Sequence, residues 1–179
     1  MSKIFRITVL LGLLLSLHTV CSSQQKDVLG WEAVRWGMAE KDILKVFGSK
    51  LKKLPKRELF LKLHADYVIP EFEIEGGAFT VFFQMDDETA KLSQVLIRLN
   101  EMKSRVPREQ LFENVASLLA RKYGNPKKLD DSQFHPSDKV KIIDMSRIWK
   151  FPTTTVELGY TWDDQIYASL LTIRYFPTK

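Results

Sequence analysis

The sequence predicts an α+β fold, in which an antiparallel sheet carries two helices on one face. The strand signal is clearest in TTTVELGYTW, residues 153–162, whose apolar and polar side chains alternate with the two-residue period of a β-strand. Two other segments combine helical apolar spacing with helix start and stop residues. The segments follow the order helix, three strands, helix, three strands, and neither half is large enough to bury its apolar face alone. We therefore expect one α+β domain over 31–179, built from tandem helix-plus-three-strand repeats at about 31–100 and 104–179.

The N-terminal 22 residues have the pattern of a secretory signal peptide. Lys3 and Arg6 supply a basic start, an apolar run covers 7–17, and small polar residues follow. The apolar run is too short to span a bilayer comfortably. We therefore expect an exported, periplasmic protein in which residues 23–30 form a flexible tail.

Cys21 is the only cysteine, and it leaves the mode of attachment open. It lies where a bacterial lipoprotein carries its lipidated cysteine, although Val20 is bulky for a lipobox. Lipidation of Cys21 would tether the protein to a membrane, whereas cleavage after Ser22 would release a soluble form.

The two predicted helices have recognisable ends. The first covers about residues 39–47, with Ile43 in its apolar stripe and Gly48 as its stop. The second follows Pro107, which suits a first helical position, and ends at Gly124, which suits a C-terminal cap.

The six predicted strands fall into two groups of three. Pro70 interrupts the first strand, which favours an edge or a bulge, and Gly76-Gly77 favours a hairpin turn after it. The basic segment SKLKKLPKR, residues 49–57, and the polar segment KKLDDSQFHPSDK, residues 127–139, are interpreted as connectors. The predicted strands lie in HADYVIPEFEIEGG, AFTVFFQMD, LSQVLIRLN, KIIDMSRIWKF, TTTVELGYTW and YASLLTIRYF.

Composition and motifs favour a binding protein over an enzyme. Hydrophobic residues make up 45% of the chain and charged residues 27%. The formal charge is +5, and without Lys3 and Arg6 of the leader it is +3, which is too mild to indicate nucleic-acid binding. His64 and His135 lie near aspartates but match no metal-ligand spacing, so we expect no metal and no cofactor. No nucleophile elbow or phosphate-binding loop is present. Glu157 and a histidine are the candidates for a cell-wall hydrolase, and Glu157 lacks a clear second carboxylate.

The outward parity of the strands collects a candidate interaction face. Threonines suit any solvated strand, but apolar and arginine side chains on an outward face look like contact anchors within a polar rim. Binding of another protein and plain solvent exposure both stay open for this face. Its members are Phe82, Gln84, Leu96, Arg98, Lys150, Thr153, Thr155, Glu157, Thr172 and Arg174.

Five basic residues cluster in the first connector. They could contact the anionic headgroups of a membrane surface or an acidic protein, or they could simply keep a connector soluble. They are Lys50, Lys52, Lys53, Lys56 and Arg57.

The segment WGMAEKDILKVFG carries a family resemblance. Gly37, Met38, Glu40, Ile43 and Gly48 match the Gly-Met helix opening of the SmpA/OmlA outer-membrane assembly lipoproteins, and the two helix-plus-strand halves resemble the repeat of the beta-lactamase inhibitor protein family. The pattern also resembles that of other small exported proteins of Gram-negative bacteria. The resemblance implies a non-catalytic binding module of the envelope, acting as an inhibitor or assembly accessory on another envelope protein. A cell-wall-directed hydrolase and a small-ligand carrier, with a cavity between helices and sheet, are the alternatives.

Overall fold

The computed structural model describes residues 27–104, 107–137, 140–163 and 168–179. The expected signal peptide, Cys21 and the start of the expected tail lie outside these residues. The end of that tail belongs to the fold, because Asp27 hydrogen-bonds Thr153 and Gly30 begins a strand. No helix in the described ranges is both long enough and apolar enough to cross a membrane.

The described residues form an antiparallel sheet with two α-helices, which confirms the α+β class. Its eight strands lie in the order β3-β4-β5-β6-β10-β9-β8-β7, and β1 and β2 form a separate small ribbon. The elements are β1 (Gly30–Trp31), β2 (Val34–Arg35), α1 (Glu40–Phe47), a 3₁₀ turn (Gly48–Lys50), β3 (Lys52–Phe60), β4 (Leu63–Ile74), β5 (Gly77–Asp86), β6 (Leu92–Ser104), α2 (Arg108–Tyr123), β7 (Lys128–Ser137), β8 (Val140–Lys150), β9 (Thr154–Asp163) and β10 (Ala168–Pro177).

Both predicted connectors are strands, so each helix is followed by four strands and the prediction of three was wrong. β3 and β7 are the two edges of the large sheet. An edge strand needs no apolar face, and charges or proline protect it from pairing with other chains. Pro55 lies where the pairing of β3 with β4 is interrupted, between Lys53 and Glu58, so its missing N–H costs no ladder bond.

The helices pack on one face of the sheet, over a shared apolar core. Ile43 of α1 and Leu111 of α2 belong to the same buried cluster as strand residues such as Val81, Ile97 and Leu158. Each such side chain contributes roughly 1.5–3 kcal/mol when fully buried. The helix-facing parity predicted for the strands is therefore confirmed. Neither helix of the described residues covers the opposite face of the sheet.

Candidate functional site

The register brings most of the predicted interaction residues onto the face opposite the helices, here called the outward face. One row crosses four strands, because Phe82 pairs with Leu96, Leu96 with Arg174, and Arg174 with Glu157. A second row joins Arg98 to Thr172. A third row contains two pairs: Lys150 lies beside Thr155 on β8 and β9, and Gln84 lies beside Gln94 on β5 and β6.

Phe82 and Leu96 are not exposed anchors, which corrects the expectation for both. They are 2% and 7% exposed, and with Ala65 and Val68 they form a second apolar cluster on the outward face. The edge strand β3 covers this cluster: Leu54 and Phe60 pack on it, and the Phe60 ring meets the Phe82 ring edge-on at 5.7 Å. A partner could reach Phe82 only after β3 had moved away.

Gln84 is also buried, with no exposed surface. Its Oε1 accepts a 2.6 Å hydrogen bond from Gln94 Nε2, and its own Nε2 has no partner among the described atoms. Gln84 therefore belongs to the interior of the covered half, where it cannot contact another protein.

The two arginines of the face are held by glutamates of the same chain. Arg98 donates to Glu58 at 2.9 Å, and its guanidinium carbon lies 4.5 Å from the centre of the Phe82 ring. Arg174 donates to Glu157 at 2.5 Å. The arginine side chains remain 37% and 43% exposed, so each presents an oriented guanidinium to solvent.

Two of the predicted threonines hold the chain together. The Thr153 backbone N–H donates to Asp27 at 3.0 Å, and the hydrogen bond from the Thr153 hydroxyl is the main cause that lowers the pKa of the Asp27 carboxyl. Thr155 is 7% exposed, and its hydroxyl lies 2.9 Å from that of Thr178. The Thr153 side chain is therefore bonded to the N-terminal segment of the fold, and the Thr155 side chain to the C-terminal segment.

Leu170 is an exposed apolar residue of the outward face that sequence reasoning missed. It pairs with Thr161 and is 49% exposed. Its position two residues before Thr172 and four before Arg174, on the same strand parity, was the signal that could have found it. The half-exposed or exposed part of the outward face on β8, β9 and β10 is here called the open patch. It consists of Asp144, Ser146, Ile148, Lys150, Glu157, Gly159, Thr161, Leu170, Thr172 and Arg174.

The five basic residues lie on and just before the edge strand β3, not in a loop, and all are exposed. Four are lysines, at positions 50, 52, 53 and 56. Arg57 differs from them, because it makes a two-point contact with Asp66, at 3.0 and 2.7 Å. The contact with Arg57 lowers the pKa of Asp66.

His64 is buried and paired with an aspartate. It is 7% exposed, with Nδ1 2.5 Å from Asp87 and Nε2 4.0 Å from Asp66, so it ties β4 to the turn after β5. Within the described residues, no group of three potential ligands could hold a metal ion. The His135 side chain lies outside the part of the chain whose side chains are described.

The chain has no match among protein-family models, curated proteins or solved structures. The resemblance to the inhibitor and assembly families therefore stays a prediction from the sequence.

Proposed function

We propose that this protein is an exported, non-catalytic binding protein whose open patch docks on another protein of the bacterial envelope. The observation that carries the proposal is the composition of the patch: an exposed leucine and an oriented arginine lie on one face of the same strand, four residues or about 13 Å apart. Leu170 and Arg174 are both on β10, which has β6 on one side and β9 on the other.

The position of β10 decides the mode of binding. Between Thr172 and Tyr175, β10 pairs with both neighbours, so its backbone groups are used in the ladder and a partner cannot add a strand there. Side chains must therefore make the contacts. A twisted, hydrogen-bonded sheet also holds these side chains at fixed spacing, which lowers the entropy lost on binding.

Arg174 favours an acidic group on the partner. A guanidinium has five N–H donors, and the bond to Glu157 uses the Nη2 group. A partner carboxylate could take remaining donors without breaking the internal pair. Arginine is enriched at binding hot spots, and Lys150 adds a second positive charge to the same patch.

The envelope location rests on the signal-peptide pattern of residues 1–22. The exposed lysines of β3 support it, since a basic edge could lie against anionic headgroups while the open patch stays free. Whether Cys21 adds a lipid anchor is a separate question, which the intact mass of the processed protein answers.

We also infer that the two halves are tandem repeats of one helix and four strands. The order of elements supports this inference, because α1 precedes β3 to β6 as α2 precedes β7 to β10. The fourth strands of the two halves pair at the centre of the sheet, so the halves lie antiparallel to each other across β6 and β10.

The test compares two leucine-to-aspartate variants in affinity capture from an envelope extract. Leu170→Asp places a charge in the open patch. Leu129→Asp is the matched control, because Leu129 is 64% exposed but pairs with Arg147, whose guanidinium packs on Phe112 on the helix side. We expect a protein captured by the unmodified chain to be lost with Leu170→Asp and kept with Leu129→Asp, at similar Tm. Equal capture by both variants contradicts the proposal.

A further inference from the structure

A cavity of about 410 Å³ lies on the helix side of the sheet, at the start of α2. The described residues that line it are Pro107, Arg108 and Glu109 at the start of the helix, with Tyr160 and Trp162 of β9. Pockets that bind small molecules usually have volumes of roughly 300–1,000 Å³. The open patch lies on the opposite face of the sheet, so the function proposed above makes no use of this cavity.

Tyr160 brings an unused hydroxyl to the cavity. The residue is 3% exposed, and its ring centre lies 6.2 Å from that of Phe112. The hydroxyl makes no hydrogen bond to the residues that the structure describes. Among those residues, Gln84 Nε2 is the only fully enclosed side-chain nitrogen or oxygen without a partner, so the Tyr160 oxygen is open to the cavity that its residue lines. A ligand group that bonds to this hydroxyl would recover the free energy lost when it left water.

The hydroxyl of Tyr160 senses the charges of the first turn of α2. Burial raises the pKa of this hydroxyl, the Glu109 carboxylate raises it further, and the Arg108 guanidinium opposes the rise. Charges act in this way on a group near to them. The hydroxyl and both charged side chains therefore belong to one site.

The first turn of α2 adds hydrogen-bond donors to the same site. Pro107 caps the helix without a side-chain hydrogen bond, and the first backbone bond runs from the Leu111 N–H to the Pro107 carbonyl, at 2.8 Å. The N–H groups at positions 108 to 110 therefore have no acceptor within the helix.

The two charges of the cavity disfavour an ion as its ligand. Arg108, which donates to the Ser169 hydroxyl, and Glu109, which is exposed, are neighbours of opposite charge. An anion would meet the Glu109 carboxylate, whereas a cation would meet the guanidinium and the positive end of α2. A purely apolar molecule would cover these groups without bonding to them. A neutral ligand that both donates and accepts hydrogen bonds suits the whole set.

We propose that this cavity binds one ring of a neutral saccharide. Sugar hydroxyls can donate to the Glu109 carboxylate and can accept from the Tyr160 hydroxyl and the N–H groups of α2. The C–H groups on one side of a sugar ring carry a slight positive charge, which suits the electron-rich face of an aromatic ring such as that of Trp162. The aromatic ring therefore favours a sugar over an acyclic polyol.

The test titrates the purified protein with three probes: methyl β-glucoside as a neutral sugar, cyclohexanol as an apolar ring, and benzoate as an anion with a ring. Two-dimensional amide NMR follows the signals of Glu109, Gln110 and Trp162. We expect saturable shifts with methyl β-glucoside, and binding weaker by about tenfold for the other two probes. No saturable shift with methyl β-glucoside, or binding of either other probe as tightly, overturns the proposal.

Two tyrosine variants locate the binding. Tyr160→Phe should weaken binding of methyl β-glucoside by about threefold to tenfold, the range expected for one lost hydrogen bond. Its Tm should not fall, because the hydroxyl has no partner in the described fold to lose. Tyr175→Phe is the control, since the Tyr175 hydroxyl lies 3.4 Å from that of Tyr123 and outside the described lining of this cavity. An affinity unchanged by Tyr160→Phe contradicts the proposal.

Two glutamate variants test the role given to the charges. Glu109→Gln removes the carboxylate that repels an anion, so benzoate should gain at least about threefold in affinity relative to methyl β-glucoside. Glu113→Gln is the control, because Glu113 lies one turn further along α2 and outside the described lining. An unchanged ratio of the two affinities in Glu109→Gln contradicts the selection for a neutral ligand.

Discussion

Leu111 of α2 packs so closely on Gly77 that a Cβ atom at position 77 would lie 2.6 Å from its Cδ2 atom. Gly77→Ala should therefore force α2 away from the sheet and lower the free energy of unfolding by about 1–3 kcal/mol. Gly159→Ala is the control, since its added Cβ would meet only the Thr172 hydroxyl, at 3.7 Å. Replacing this strand glycine should be neutral or stabilising by up to about 1 kcal/mol. Urea denaturation measures both, and equal stability of the two variants would disprove the close packing.

Reversing both outward arginines should destabilise the protein. The double variant carries both Arg98→Glu and Arg174→Glu. Its new carboxylate at position 98 faces Glu58 and the one at position 174 faces Glu157, so each attraction becomes a repulsion. We expect the free energy of unfolding to fall by about 1–3 kcal/mol, with a lower Tm. Swapping the charges within both pairs, by adding Glu58→Arg and Glu157→Arg, should recover most of the loss. A reversal variant as stable as the parent would show that neither pair forms in solution.

Stability should fall in acid partly because of Asp66. Its pKa is lowered in the folded protein, first by the hydrogen bond from Arg57, from an unfolded value near 3.9. The ion pair therefore stabilises the fold fully above that unfolded value, and the contribution is lost as the pH falls through the folded pKa. Asp66→Asn should reduce the loss of stability between about pH 5 and pH 2.

Denaturation curves at several pH values check the acid prediction. Asp27 and Asp86 also have lowered pKa values, so a residual slope should remain in the Asp66→Asn variant. A slope identical to that of the unmodified protein would mean that Asp66 is not paired in solution.

Trp149 should stabilise the end of α2. It is 1% exposed, and its Nε1 donates a 2.7 Å hydrogen bond to the carbonyl oxygen of Gly124, just past the helix. Trp149→Phe leaves that carbonyl without this donor, at a cost of about 1–3 kcal/mol. Amide hydrogen exchange should then speed up at the Gly124 N–H, which bonds to Ala120. Unchanged exchange there would show that the tryptophan fills space without capping the helix.

The elements that bury an apolar face were predictable from the sequence. The alternation of Val156, Leu158 and Tyr160 follows directly from contact with the core, and all three are buried. The second helix was recognisable because Gly124 marks its end. An element that buries one face needs apolar residues at the period of a strand or a helix, so that period in the sequence indicates which face is buried.

The edge strands and the covered cluster were not predictable in the same way. β3 and β7 have only one neighbouring strand each, and their residues are mostly exposed where described, so no alternation marks them. The parity of Phe82 correctly placed it on the outward face. Parity does not reveal what lies above a face, however, and Leu54 and Phe60 cover Phe82 through a tertiary contact.

The pairing of Arg98 with Thr172 also sets an order of events during synthesis. Each group of four strands is a meander of sequence neighbours, so it can assemble by closing short loops. The seam between the groups joins residues far apart in the chain, and such contacts form late and slowly. Until β10 has been made, β6 has an uncovered edge. A chain that cannot complete its sheet early stays incompletely folded until its last strand has been made.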